Sequence, residues 1–235
     1  MLDLAERPVN RWADLGTRAI SSLVLAPIGI ACVWIGGIGF VVAIIAVVVG
    51  LAIEWLALCR RQASRPRVAV LCPVGLGYIA LAGAAMLWLR DAGVAGRANV
   101  LFMLFIVWAG DIGAYAVGRS IGGPRMAPRI SPGKTWSGAV GGLLAAIAVG
   151  AIAAHLLSDA GKAWQAALVA CALGIAAQAG DLLESFVKRQ FEVKDSSHLI
   201  PGHGGLLDRL DGVLAAAPAA ALLALTLGRG VVLWQ

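Results

Sequence analysis

Apolar runs of membrane-crossing length alternate with short polar stretches along most of the chain. A transmembrane helix needs about 20 mostly apolar residues. Seven runs meet that need: Ile20–Gly36, Ile38–Cys59, Val68–Leu89, Ala98–Gly118, Ser137–Leu157, Trp164–Gly180 and Gly212–Leu233. The Gly36-Gly37-Ile38-Gly39 stretch suits a tight turn between the first two. The pattern predicts an all-α, polytopic transmembrane protein of about seven spans. The first run lies behind a polar segment, residues 1–19, and no A-x-A cleavage site follows it, so no removable signal peptide is expected. No internal repeat and no low-complexity linker divides the chain.

Composition narrows the class. The 235 residues are 60% hydrophobic and 14% charged, against about 45–50% apolar and about 25% charged in soluble domains. A soluble enzyme and a disordered binder are both excluded. Cys32, Cys59, Cys72 and Cys171 sit in apolar runs without paired spacing and read as small hydrophobes, not as a disulfide framework. The net charge of +6 reads as loop charge, with no nucleic-acid partner. With the N-terminus in the cytoplasm, fifteen of the 19 Lys and Arg fall on the inside, and Arg90, Arg97, Lys162 and Arg229 fall outside. That asymmetry predicts a multi-pass protein of the inner (cytoplasmic) membrane with its polar face towards the cytoplasm.

Three polar clusters lie at the cytoplasmic ends of these runs. In the first, Asp111, Tyr115 and Arg119 are spaced four apart and share a helix face. Ser131-Pro132-Gly133-Lys134-Thr135 follows. Its ending suggests a P-loop, but Pro128 occupies the position of the first glycine and no preceding β-strand is expected, which excludes a Walker A site. A basic, hydroxyl-bearing loop before a helix still suits phosphate; the bland alternative is an ordinary positive-inside loop. In the second, Asp181, Glu184, Ser185 and Lys188 share one face of a helix continuing from the sixth run. Arg189 follows them, and Gln178 extends the polar stripe inward. The third holds Lys194, Asp195, a Gly202-His203-Gly204-Gly205 turn, and Asp208-Arg209-x-Asp211 at the start of the last helix. Paired carboxylates of this kind suit Mg²⁺ together with substrate phosphates. Glycine turns let backbone amides approach an anion. The inventory suits phosphoryl or nucleotidyl transfer to a lipid, which asks mainly for positioning and charge neutralisation.

The segment Ser185-x-x-Lys188-Arg189-x4-Lys194-Asp195-Ser196-Ser197-x-x-Ile200-Pro201-Gly202-His203-Gly204-Gly205-x-x-Asp208-Arg209-x-Asp211 resembles the signature of the phosphatidate cytidylyltransferases, the CDP-diacylglycerol synthases. Asp111-x-x-Ala114-Tyr115-x-x-Gly118-Arg119 and Ile130-Ser131-Pro132-x-Lys134-Thr135-Trp136 resemble the same family. The resemblance covers residues from about 108 to 212; the N-terminal runs match only in being hydrophobic. Gly133 stands where the family often has Lys, and Ser137 where Glu is common.

The resemblance implies CTP and phosphatidate as substrates, CDP-diacylglycerol and pyrophosphate as products, and Mg²⁺ as cofactor, with a second cation left open. It implies a metal site of Asp181, Asp208 and Asp211, and a catalytic set of Asp181, Asp208, Lys188, Arg189, Lys194 and Arg209. Substrate contacts would come from Asp111, Tyr115, Arg119, Ser131, Lys134, Thr135, Glu184, Ser185, Asp195, His203, Gly204 and Gly205. His203 reads as a turn hydrogen-bond donor, not a zinc ligand. The chain then divides into a cytoplasmic segment 1–19, transmembrane helices over 20–97 and a catalytic transmembrane region over 98–235.

Three competitors are weighed against this. A CDP-alcohol phosphotransferase would share Asp208-x-x-Asp211-Gly212, but Ala215-Ala216 replaces its Ala-Arg and no acid follows residue 211. A CTP-dependent polyprenol or phytol kinase would need the same charges and a hydroxyl acceptor. A transporter would place its acids near the midplane. The small residues of Gly138–Gly142 allow either a homodimer or close packing within one chain.

Overall fold

The computed structural model describes residues 26–62, 66–157, 162–193, 195–197, 205–228 and 230–235. The N-terminal segment 1–19 and the start of the first expected span lie outside them. The helices are α1 (described over Ala26–Ile35), α2 (Gly37–Arg61), α3 (Pro66–Arg90), α4 (Gly93–Ile121), α5 (Trp136–Leu157), α6 (Ala163–Gln190) and α7 (Leu207–Leu227). Six of these, α2 to α7, are long and apolar enough to cross a membrane. The protein is an all-α polytopic membrane protein. Gly36, at φ 68°, breaks the chain between α1 and α2 at the expected glycine turn.

Two boundaries carry functional weight. α6 continues past its apolar run through Gln190, as expected, so the acidic segment is its last turns. α7 starts at Leu207, ahead of its apolar run, so Asp208 and Asp211 are helical, as their place at the start of the last helix predicts. After α7, Val232, Leu233 and Trp234 fold back into the core. Buried Asn99 holds them by donating to the Val231 carbonyl and accepting from the Leu233 amide, both at 2.9 Å.

The chain is not wholly helical between α4 and α5. Arg125–Ala127 (β1) and Ser131–Thr135 (β2) form an antiparallel hairpin, pairing Arg125 with Thr135 and Ala127 with Ser131. The expectation of no strand before Lys134 is corrected by β2; Pro128 still removes the glycine that a Walker A loop needs.

Glycine governs the packing of α5 on α4. A Cβ at Gly142 would meet the Gly110 carbonyl oxygen at 2.6 Å, and one at Gly138 the Ala114 oxygen at 2.9 Å. The Gly138–Gly142 run is therefore used inside this chain and carries no argument for a second copy. Such small-residue contacts are how membrane helices approach closely.

Because successive helices alternate in direction, one end of the bundle collects the C-terminal ends of α2, α4 and α6, the N-terminal ends of α3, α5 and α7, and the hairpin. A cluster of Leu51, Trp55, Leu58, Ile79, Phe191 and Leu207 forms the core there. Trp55 of α2 lies over Gly75 of α3, donates to the Cys72 carbonyl at 2.9 Å, and meets Phe191 edge-on with ring centroids 5.6 Å apart. The N-terminal helices thus wall the polar end.

Candidate active site

The α6 face forms as its spacing predicts. Gly180 then lets α7 come close, since a Cβ there would meet the Asp211 carbonyl oxygen at 2.7 Å. The result is a group of three acids. Asp181, Glu184 and Asp211 each offer a carboxylate oxygen, and these oxygens lie within 4.8 Å of one another. Glu184 Oε1 is buried and has no hydrogen-bond partner. Oxygen donors of this number and charge fit a hard divalent cation.

Asp208 is not in that group. Its Oδ1 accepts from Lys188 Nζ at 2.6 Å. Its Oδ2 accepts from the Ser196 amide and hydroxyl, both at 3.0 Å, and from the Gly205 amide at 2.9 Å. Both carboxylate oxygens are thus committed to holding the turn before α7. Lys188 also pairs with Glu184 Oε2 at 3.0 Å. One buried ammonium therefore ties Asp208 to the three-acid group. Of the set expected from sequence, Asp181 and Asp211 lie together with Glu184, and Asp208 adjoins them through the Lys188 ion pair.

The hairpin brings Lys134 to the same place, with Nζ 2.6 Å from Asp181 Oδ2. Thr135 does something else. It precedes the first residue of α5, and its Oγ1 accepts from the Gly138 amide at 3.1 Å, which makes it the helix N-cap. Arg189 Nε donates to the Ile130 carbonyl at 3.0 Å and Nη1 to the Val193 carbonyl at 3.1 Å. It pins the hairpin to the end of α6. Ser131 is half-buried in the hairpin, and Ser185 half-buried on α6.

Asp111 lies within electrostatic reach of Asp181, Lys134 and Arg209, and so belongs to the cluster. Tyr115, 63% exposed, and exposed Arg119 continue the same α4 face on the protein surface. Arg209 and Asp195 are exposed beside the site. Lys194, His203 and Gly204 lie outside the described residues. Gly205 is buried and donates to Asp208 as above.

One site residue escapes the motif reading. Glu54 of α2 is 5% exposed, and its Oε2 accepts from the Leu207 amide at 2.6 Å. Its Oε1 accepts from the Ser197 hydroxyl. The signal was present: Glu54 is the one acid in the run Ile38–Cys59, and a carboxylate at membrane depth costs about 2.5–3.5 kcal/mol unless partnered. Through Glu54, α2 thus reaches the end of the bundle where the acids lie.

A helical bundle in the membrane with acids suited to a hard cation beside lysines, all at one end, defines an integral membrane enzyme for group transfer at phosphorus. The chain belongs to the cytidylyltransferase family, whose profile matches residues 68–227. It is a nucleotidyltransferase. The match extends upstream of the C-terminal segment in which the motifs lie, so α3 is part of the likeness. A phosphatidate cytidylyltransferase of Brucella suis biovar 1 (strain 1330) is 38% identical over 247 aligned residues, covering 87% of this chain and 91% of that protein. One of Rickettsia bellii (strain RML369-C) is 34% identical, covering 88% of this chain and 89% of its own length. One of Haemophilus influenzae is 44% identical over a shorter stretch, covering 51% of this chain and 43% of its own length.

Proposed function

We propose that the chain transfers the cytidylyl group of CTP to phosphatidate, giving CDP-diacylglycerol and pyrophosphate for phospholipid synthesis. The observation that carries this reading is the three-acid group with lysines on two sides, at one end of a membrane bundle. The relatives named above are phosphatidate cytidylyltransferases. The substrates meet there by their chemistry: a lipid phosphate reaches the site from the bilayer and a nucleotide from water. The charge asymmetry of the loops supports the reading that this end faces the cytoplasm at an inner membrane.

In the reaction, a phosphatidate phosphate oxygen forms a bond to the α-phosphorus of CTP. The bond from that phosphorus to the bridging oxygen breaks, and pyrophosphate leaves with the electron pair. The nucleophile is already anionic and needs no strong base. Asp181, Glu184 and Asp211 would hold Mg²⁺, and the unpartnered Glu184 Oε1 fits that role. When bound, the ion supplies Lewis-acid neutralisation of phosphate charge. The protein's own groups do the rest. Lys134 and Arg209 screen the two anionic substrates from each other. Lys188 is nearly buried between Glu184 and Asp208, so its part is to fix those acids. Arg189 holds the Lys134 hairpin against α6.

The test offers purified protein CTP and Mg²⁺ with either phosphatidate or a long-chain polyprenol, following pyrophosphate and lipid products. Pyrophosphate released with phosphatidate alone supports the reading. Phosphorylated alcohol and CDP in its place would overturn it.

A further inference from the structure

We propose that Glu54 is a positioning residue, which holds the Ser197 hydroxyl and the Leu207 amide from α2 so that Asp208 and Asp211 are presented from a fixed start of α7. The inference rests on the cytidylyl-transfer reading above.

The first turn of a helix leaves amides without intrahelical partners. α7 has no cap of its own kind: the residue at its N-cap position is Leu206, with no side-chain hydrogen bond to the turn. The Leu207 amide is instead met by Glu54 Oε2 at 2.6 Å. The cap thus comes from another helix, 153 residues away in sequence. A carboxylate is the favoured partner there, because the N-terminal end of a helix dipole is positive.

The partners of Glu54 interleave with those of Asp208. Ser196 donates to Asp208 and Ser197 to Glu54. Gly205 donates to Asp208, and Leu207, two residues on, donates to Glu54. Gly205 is pressed between the two systems: a Cβ there would strike both the Glu54 carboxylate and the Ser196 hydroxyl. Two carboxylates therefore grip alternate links of the chain on either side of the 198–204 segment. Glu54 is not in the three-acid group, so its effect on chemistry runs through the placement of α7. Trp55, wedged between Gly75 and Phe191, keeps this level of α2 in place.

The test compares full-length wild type, Glu54→Gln and Glu54→Ala in detergent. It reads kcat, KM for both substrates, and binding of Mn²⁺ without substrate by electron paramagnetic resonance. Displacing reacting groups by about 1 Å costs on the order of a hundredfold, so Glu54→Ala lowers kcat about that much. CTP KM stays within about threefold of wild type, because no transition-state-independent contact to substrate is removed. Glu54→Gln falls between, since its amide oxygen still accepts from Leu207. Mn²⁺ binding weakens in the same order. Wild-type kcat in Glu54→Ala would overturn the proposal. So would a raised KM at unchanged kcat, or failure of both variants to fold, which would make Glu54 a stability residue only. Wild type that binds Mn²⁺ yet makes no CDP-diacylglycerol would instead defeat the functional reading, with the Mn²⁺ series still reporting on Glu54.

Discussion

Lys188 Nζ lies 2.6 Å from Asp208 Oδ1, joining the end of α6 to the start of α7 across 20 residues of sequence. The two side chains are only 13% and 10% exposed. Removing the cation leaves two nearly buried carboxylates, Asp208 and Glu184, without their shared ion-pair partner. Breaking one side of a buried pair costs about 3–5 kcal/mol. Lys188→Met is expected to lower thermal stability in detergent by that order and to abolish turnover, as thermal unfolding and product formation together will read.

The Lys134–Asp181 pair behaves differently. Its side chains are 26% and 36% exposed, although the Lys134 Nζ atom itself is buried. The partly open Asp181 carboxylate makes the pair cheaper to break than Lys188–Asp208. Lys134→Met is therefore expected to lower the melting temperature less than Lys188→Met does, while raising KM for CTP or lowering kcat. Equal losses of stability and activity would place Lys134 among the structural residues.

Thr135 separates two roles that its sequence context allows. As the N-cap of α5, its loss to Ala costs about 1 kcal/mol of stability, with Thr135→Ser close to wild type. A phosphate clamp would show itself as a rise in KM for CTP with stability intact. The hydrogen bond to the Gly138 amide predicts the first result.

Gly142 tests the close approach of α4 and α5. A Cβ there meets a backbone oxygen at 2.6 Å, and backbone cannot step aside as a flexible side chain can. Gly142→Val is expected to destabilise by more than the about 1–3 kcal/mol typical of overpacking, read as loss of the monodisperse fraction in size-exclusion chromatography. Gly77→Val, with open space at its Cβ, is the matched control.

How much of this was legible beforehand differs by element. The α6 face was readable because i, i+3, i+4 and i+7 spacing is a local signal that the helix period imposes. The first turns of α7 were readable for the same reason. Glu54 was visible as the lone acid of an apolar run, but its role was not, because its partners are Leu207 and Ser197 and no local pattern links residues so far apart. Asp208 was readable as a member of the site because Asp208-x-x-Asp211 is a paired-acid spacing. Only the folded turn shows Ser196, Gly205 and Lys188 filling both its oxygens. The hairpin was hidden because Arg125–Ala127 and Ser131–Thr135 are short, and Pro and Gly within the second mask any alternation.

The central claim is that Asp181, Glu184 and Asp211 form the centre at which CTP and phosphatidate react. Its most direct test follows ³²P from the α-phosphate of CTP into lipid, with phosphatidate and Mg²⁺, comparing wild type with Asp181→Asn and Asp211→Asn proteins shown to be folded. The account predicts labelled CDP-diacylglycerol from wild type, none after chelation by EDTA, and at most about a hundredth of the wild-type rate from either variant. Unlabelled lipid with wild type, or near-wild-type labelling with both variants, would contradict it.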